Sequence, residues 1–105
     1  MQLARVVGTV VSEQKDPNLN GLTFLLLRPL DINNNKAQSG HIVAVDAVGA
    51  GVDEVVMVAT GSSARQTVIT KDRPVDAVVM AIVDQWEVGS ESRYRKTPAD
   101  DPWAS

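Results

Sequence analysis

The chain has 105 residues and a net charge of −3, ten Lys and Arg standing against thirteen Asp and Glu; that balance argues against nucleic acid, whose phosphates call for a basic excess or stripe. The length fits one domain, and the lack of cysteine excludes disulfides and thiolate metal sites. Hydrophobic residues make up 44% but aromatics only 4%, so the core must come largely from Val and Ala, which favours strands and close backbone approach.

Met1-Gln2-Leu3-Ala4-Arg5 has no charged lead followed by an apolar signal core. The longest apolar stretches, such as Ala77–Val83, are far too short to span a bilayer. The expectation is a soluble, cytoplasmic protein.

In chain order, Leu3–Val11 reads as a first strand, β-branched and without a helical stripe. Gly8 within it predicts a bulge, a sharp bend or a close backbone approach. Lys15–Gly21 gathers Pro, Asn, Asp and Gly into a loop. Leu22–Leu30 is a second strand, apolar on both faces through Phe24, Leu25, Leu26 and Leu27, as in a strand that also meets a neighbouring element or subunit. Asp31–Lys36 is an Asn-rich turn leading to a third strand at about His41–Ala47. After a glycine-punctuated loop at Val48–Asp53 comes a fourth strand, Glu54–Thr60. Gly61–Arg65 turns the chain, Ala64–Thr67 could form one helical turn, and Lys71–Pro74 is a polar loop. Val75–Trp86 is the fifth and last clear strand. Five strands with short loops predict an all-β fold, a small five-stranded OB-like barrel with at most one short helix. Residues 1–86 form that domain, and Glu87–Ser105, rich in charge and Pro, reads as a polar C-terminal tail from which Tyr94 and Trp103 could dock.

Few residues invite a chemical reading. Gly49-Ala50-Gly51 fails as a dinucleotide fingerprint because Glu54 stands where its third glycine belongs and a strand follows. The bland alternative is a tight turn where backbones approach. His41 is the only histidine, so a metal site would rest on carboxylates. Ser62 and Ser63 lie in no nucleophile elbow that could recruit it. In a regular strand Asp76 and Asp84 would be about 26 Å apart, too far for a carboxylate dyad. Asp46 and its like at strand ends more often accept turn N–H groups or pair with a basic residue such as Arg65 or Arg73. Arg93, Arg95 and Lys96 form the only basic cluster, followed by Asp100 and Asp101, and the separated Trp86 and Trp103 make no base-stacking platform. Gly61–Arg65 serves either as an internal cap or as an intersubunit contact, Arg65 being able to fork onto a carboxylate. No catalytic residue, metal or cofactor is expected.

Taken in register, Gln2–Ser12, Gln14–Pro17, Leu22–Asp31, Val45-Asp46, Val48–Gly51, Gly61–Gln66 and Pro74–Ala77 resemble the EutN/CcmL family of bacterial microcompartment shell-vertex proteins. The resemblance runs from Met1 to about Asp84. It implies a non-enzymatic structural subunit, an OB-like barrel forming a homopentamer at shell vertices beside hexameric shell proteins, as in carboxysomes or catabolic microcompartments. It further implies that Gly49, Ala50 and Gly51 bound a narrow axial opening, and that Gly61, Ser62, Ser63, Ala64 and Arg65 take part in subunit packing. The rival reading is an OB-fold binding module for nucleic acid or a small ligand.

Overall fold

Val, Leu and Ala alternate between the inside and outside of a closed barrel in the computed structural model, which describes residues 1–11, 21–61, 64 and 76–96. Its strands are β1 (Gln2–Val10), β2 (Phe24–Pro29), β3 (Ile42–Asp46), β4 (Val55–Thr60) and β5 (Ala77–Ile82), joined in the order β1-β2-β3-β5-β4 and closed by β4 on β1. All neighbours are antiparallel except β3 and β5, which run parallel over only two aligned pairs, Val45 with Val78 and Asp46 with Val79. This is the five-stranded, OB-like barrel expected; no α-helix occurs among the described residues, although Gly61 and Ala64 are in 3-10 conformation. The proposed helical turn at Ala64–Thr67 lies largely outside them, as do Gln14–Pro17 and Arg73-Pro74.

The interior follows from the composition. Ala4 and Val6 on β1, Leu25 and Leu27 on β2, Ala44 on β3, Val56 and Val58 on β4, and Ala77 and Val79 on β5 pack as one buried cluster. A five-stranded barrel is narrow, in keeping with an interior whose fully buried side chains include Leu27, Val6, Val56, Val58 and Val79. A second cluster sits on the outer side of one end, where Phe24, Val45, Val78 and Ala59 form a row across four strands covered by Leu22 and Ala64.

Two bulges bend the walls. In β1, Val6 pairs with Leu27 and Gly8 with Leu26, leaving Val7 as the extra residue, so the bulge is where Gly8 predicted it. In β5, Ala81 pairs with Met57 and Val79 with Val58, leaving Met80 as the extra residue.

The run Val75–Trp86 does not form one strand. β5 ends at Ile82, the Val83 N–H donates to the Val55 carbonyl at 2.8 Å, and a separate strand β6 begins at Gln85. β6 (Gln85–Val88) pairs with β7 (Glu91–Arg95) in a hairpin with Gly89 and Ser90 at its tip. The break and the Met80 bulge mean that Asp76 and Asp84 do not share one regular strand. The Trp86 and Tyr94 rings stack tilted with centroids 5.4 Å apart, and the Trp86 indole N–H donates to the Ile32 carbonyl at 2.9 Å.

Candidate assembly site

The loop from Asp46 to Glu54 is organised by the two carboxylates at its ends. Asp46 Oδ1 accepts the N–H groups of Val48 at 3.0 Å, Gly49 at 2.9 Å and Ala50 at 3.3 Å. Three donors converge on one carboxylate oxygen and curl the backbone into a concave turn. Gly49 takes φ 76°, in the left-handed region glycine occupies without strain. Ala50 turns inward against the main core, while Gly49 and Gly51 stay exposed. At the far end the Gly51 N–H donates to Glu54 Oε1 at 2.6 Å, and Lys96 Nζ donates to Glu54 Oε2 at 3.0 Å.

β1 holds the same loop from beneath. The Asp53 N–H donates to the Val6 carbonyl at 2.8 Å, and the Val6 N–H returns a bond to the Glu54 carbonyl at 2.9 Å. Arg5 Nη1 donates to the Asp53 carbonyl at 2.8 Å, and the Arg5 guanidinium lies over the Tyr94 ring, 5.8 Å from its centroid. Asp53 itself adopts φ 75°, an uncommon conformation for a side-chain-bearing residue that these bonds on both sides hold in place. Gly51, Glu54, Tyr94 and Lys96 thus border an open depression of about 320 Å³ between loop and hairpin. Arg5, Glu54, Tyr94 and Lys96 were not singled out for this loop from the sequence. Arg5 lies 48 positions from Asp53 and 89 from Tyr94, and Lys96 lies 42 from Glu54, so no local pattern announces these contacts.

Glu54 is held below its ordinary value of 4.5, chiefly by the Gly51 N–H and then by the Lys96 hydrogen bond, with the Lys96 charge adding to these and partial burial opposing them. A carboxyl whose pKa is depressed by folding contributes stability above the unfolded value, and that contribution disappears as pH falls through the folded value. Acidification below 4.5 should therefore lower the melting temperature. The Glu54→Gln variant should show a shallower acid limb, read by thermal melts from neutral pH to about pH 3. Equal acid limbs in the two proteins would remove Glu54 from the account.

The other candidate residues fall apart spatially or chemically. His41 is exposed, its Nε2 3.1 Å from Arg28 Nη2. Among the described residues no three His, Cys, Asp or Glu side chains gather where they could hold a metal. Gly61 is exposed with φ 63°, its N–H bonded to the Asp76 carbonyl at 2.8 Å. Ala64 is fully buried within the second cluster of its own chain, while Ser62, Ser63 and Arg65 lie outside the described residues. The structure therefore offers a braced loop of exposed backbone at this end of the barrel.

Comparison with known proteins matches that picture. The family model described as "Ethanolamine utilisation protein EutN/carboxysome" matches residues 1–84. The carboxysome shell vertex protein CcmL of Nostoc sp. is 48% identical over 96 residues, covering 91% of this chain and 95% of that protein. The solved structure of Gloeobacter violaceus CcmL superposes with a TM-score of 0.87 at 47% identity, covering 91% of this chain and 98% of that one. GrpN of Rhodospirillum rubrum, described as a pentameric microcompartment shell protein, superposes with a TM-score of 0.75 at 41% identity, covering 84% of this chain and 100% of its own.

Proposed function

As the chain belongs to the EutN/CcmL family, we propose that it is a structural subunit whose pentamers cap the vertices of a bacterial microcompartment shell in the cytoplasm. The observation that carries this reading is near-complete coverage of vertex proteins at close to half identity, on the same barrel. A layer of hexagonal tiles cannot close on itself without fivefold points, and a small subunit with a braced, side-chain-poor loop suits that geometric task. Residues 1–86 are the barrel body in this proposal. The Gly49-Ala50-Gly51 loops of the copies meet around the axis and bound a narrow opening, Ala50 anchoring each loop on its own core while the exposed glycines let several chains converge without side-chain clashes. The Gly61–Arg65 turn takes part in subunit packing, with exposed Gly61 at the contact and buried Ala64 fixing the turn from within. Hexameric shell proteins adjoin the rim, where weak contacts are multiplied by symmetry. The role is non-enzymatic, in keeping with the shell-vertex relatives.

Native mass spectrometry tests the reading directly. The expected species has five times the 11.3 kDa mass of one chain, and it should join hexameric shell proteins when co-produced with them. A chain that stays monomeric across the concentration range would instead favour a solitary OB-type binding module.

A further inference from the structure

The outer wall of the barrel carries two apolar bands on opposite flanks. The first crosses β1, β2 and β3. Leu26 and Val43 stand opposite each other on the β2–β3 ladder, while their neighbours Leu25, Leu27 and Ala44 fill the interior. Gly8 lies across from Leu26 on β1, with the bulged Val7 beside it. Val43 is 51% exposed and Val7 41%. The second band crosses β1, β4 and β5, where Leu3, Met57 and Ala81 line up outside the inward-facing Val56 and Val58. The bulged Met80, 39% exposed, extends it. β2–β3 and β4 are separated by β1 on one side and by β5 on the other, so the two bands face different ways.

Gly8 adds a second, independent observation. A Cβ built there would meet only the Leu26 Cβ at 4.0 Å, an ordinary contact, and its φ is not positive. Among the described residues nothing crowds a side chain at this position of the bulge, although glycine weakens a strand interior. The missing side chain leaves room there beside Leu26 on the outer wall.

A cyclic ring with an odd number of copies needs two different surfaces on each subunit, used head to tail. GrpN, 41% identical over most of this chain, is such a ring by its description as pentameric. We infer that the two bands are the two halves of one subunit contact, the β1–β2–β3 band of each copy packing on the β1–β4–β5 band of the next, with Gly8 admitting the neighbour's backbone. The contact rests on the ring proposed above and specifies which faces build it. Used this way, neither band is left open to water in the closed assembly.

Val43→Glu spoils the first band and leaves the second intact; Met80→Glu does the reverse. Each variant alone should be monomeric at a concentration where the wild type is pentameric, with association weakened at least about tenfold, as expected for a charge forced into an apolar contact. An equimolar mixture of the two should give a one-to-one heterodimer and nothing larger, because only one sound contact can form between them. Native mass spectrometry reads all three samples, and far-UV circular dichroism checks that the barrel is retained. Should a glutamate variant fail to fold, Gly8→Ala has room within its own barrel and should stay folded while the ring weakens. Unchanged pentamers in Val43→Glu, Met80→Glu or Gly8→Ala would overturn the contact, and so would a mixture that remains monomeric. A wild-type pentamer with unaffected variants would sink this contact alone, whereas a monomeric wild type would sink the ring and the contact together.

Discussion

Leu27→Ala should lower the stability of the folded subunit by about 3 kcal/mol and its melting temperature by about 15 °C. Leu27 is fully buried on β2, paired with Val6 on one side and Ile42 on the other. Its neighbours in the interior are mostly Val and Ala, whose short, stiff side chains cannot swing in to refill the space, so most of the cavity stays open. Domains of this size have only about 5–15 kcal/mol in hand, which makes the loss a large share of the total. Assembly would mask part of it, because a ring that binds only folded subunits raises the apparent melting temperature with concentration. Calorimetry should therefore follow both proteins across a dilution series. A drop of less than about 3 °C at the lowest concentration would show that Leu27 is not sealed inside the barrel.

Gly49→Leu should act at a different level, on the ring more than on the subunit. The φ of 76° at Gly49 is strained for any residue with a side chain, at a cost of roughly 1–2 kcal/mol. Among the described residues nothing lies within 4 Å of a Cβ placed there, so the single subunit suffers little beyond that strain. Around the proposed axis, five leucines would compete for one narrow space, and ring formation should be largely lost. Gly49→Ala separates the two causes, since it imposes the same backbone strain with far less bulk. Full pentamers from Gly49→Leu, with the alanine variant behaving alike, would remove the loop from the axis.

Much of the barrel was legible because its walls are coded locally. β1 to β4 appear as β-branched or leucine-rich runs between turn residues, and Gly8 marked its bulge. The end of β5 was not legible, since apolar residues continue from Ala77 to Val83 without a turn residue to stop them. A bond from Val83 to Val55, 28 positions earlier, accompanies the end of that strand, and only the fold reveals it. The hairpin beyond was readable in principle. Gly89-Ser90 is a two-residue turn signal between Trp86–Val88 and the alternating Ser92 and Tyr94, and Gly89 does take φ 65°. The surrounding charges hid it by resembling a solvated tail. For the candidate site, the ability of Asp46 to accept turn N–H groups was readable from its place at a strand end. The grip of Lys96 on Glu54 was not, because 42 residues separate them.

The parallel seam between β3 and β5 has a consequence in time. The β1–β2 and β2–β3 ladders join strands that follow one another, whereas Val45 must wait for Val78 and Gln2 for Val58. Pairings so distant along the chain are formed late and make folding slow, commonly milliseconds to seconds for β-barrels of this kind. A nascent chain still short of β5 therefore exposes the half-finished interior and cannot yet recruit neighbours. In the proposed ring one contact band includes Met80 and Ala81 of β5, so a subunit can be joined on both sides only once that strand is in place.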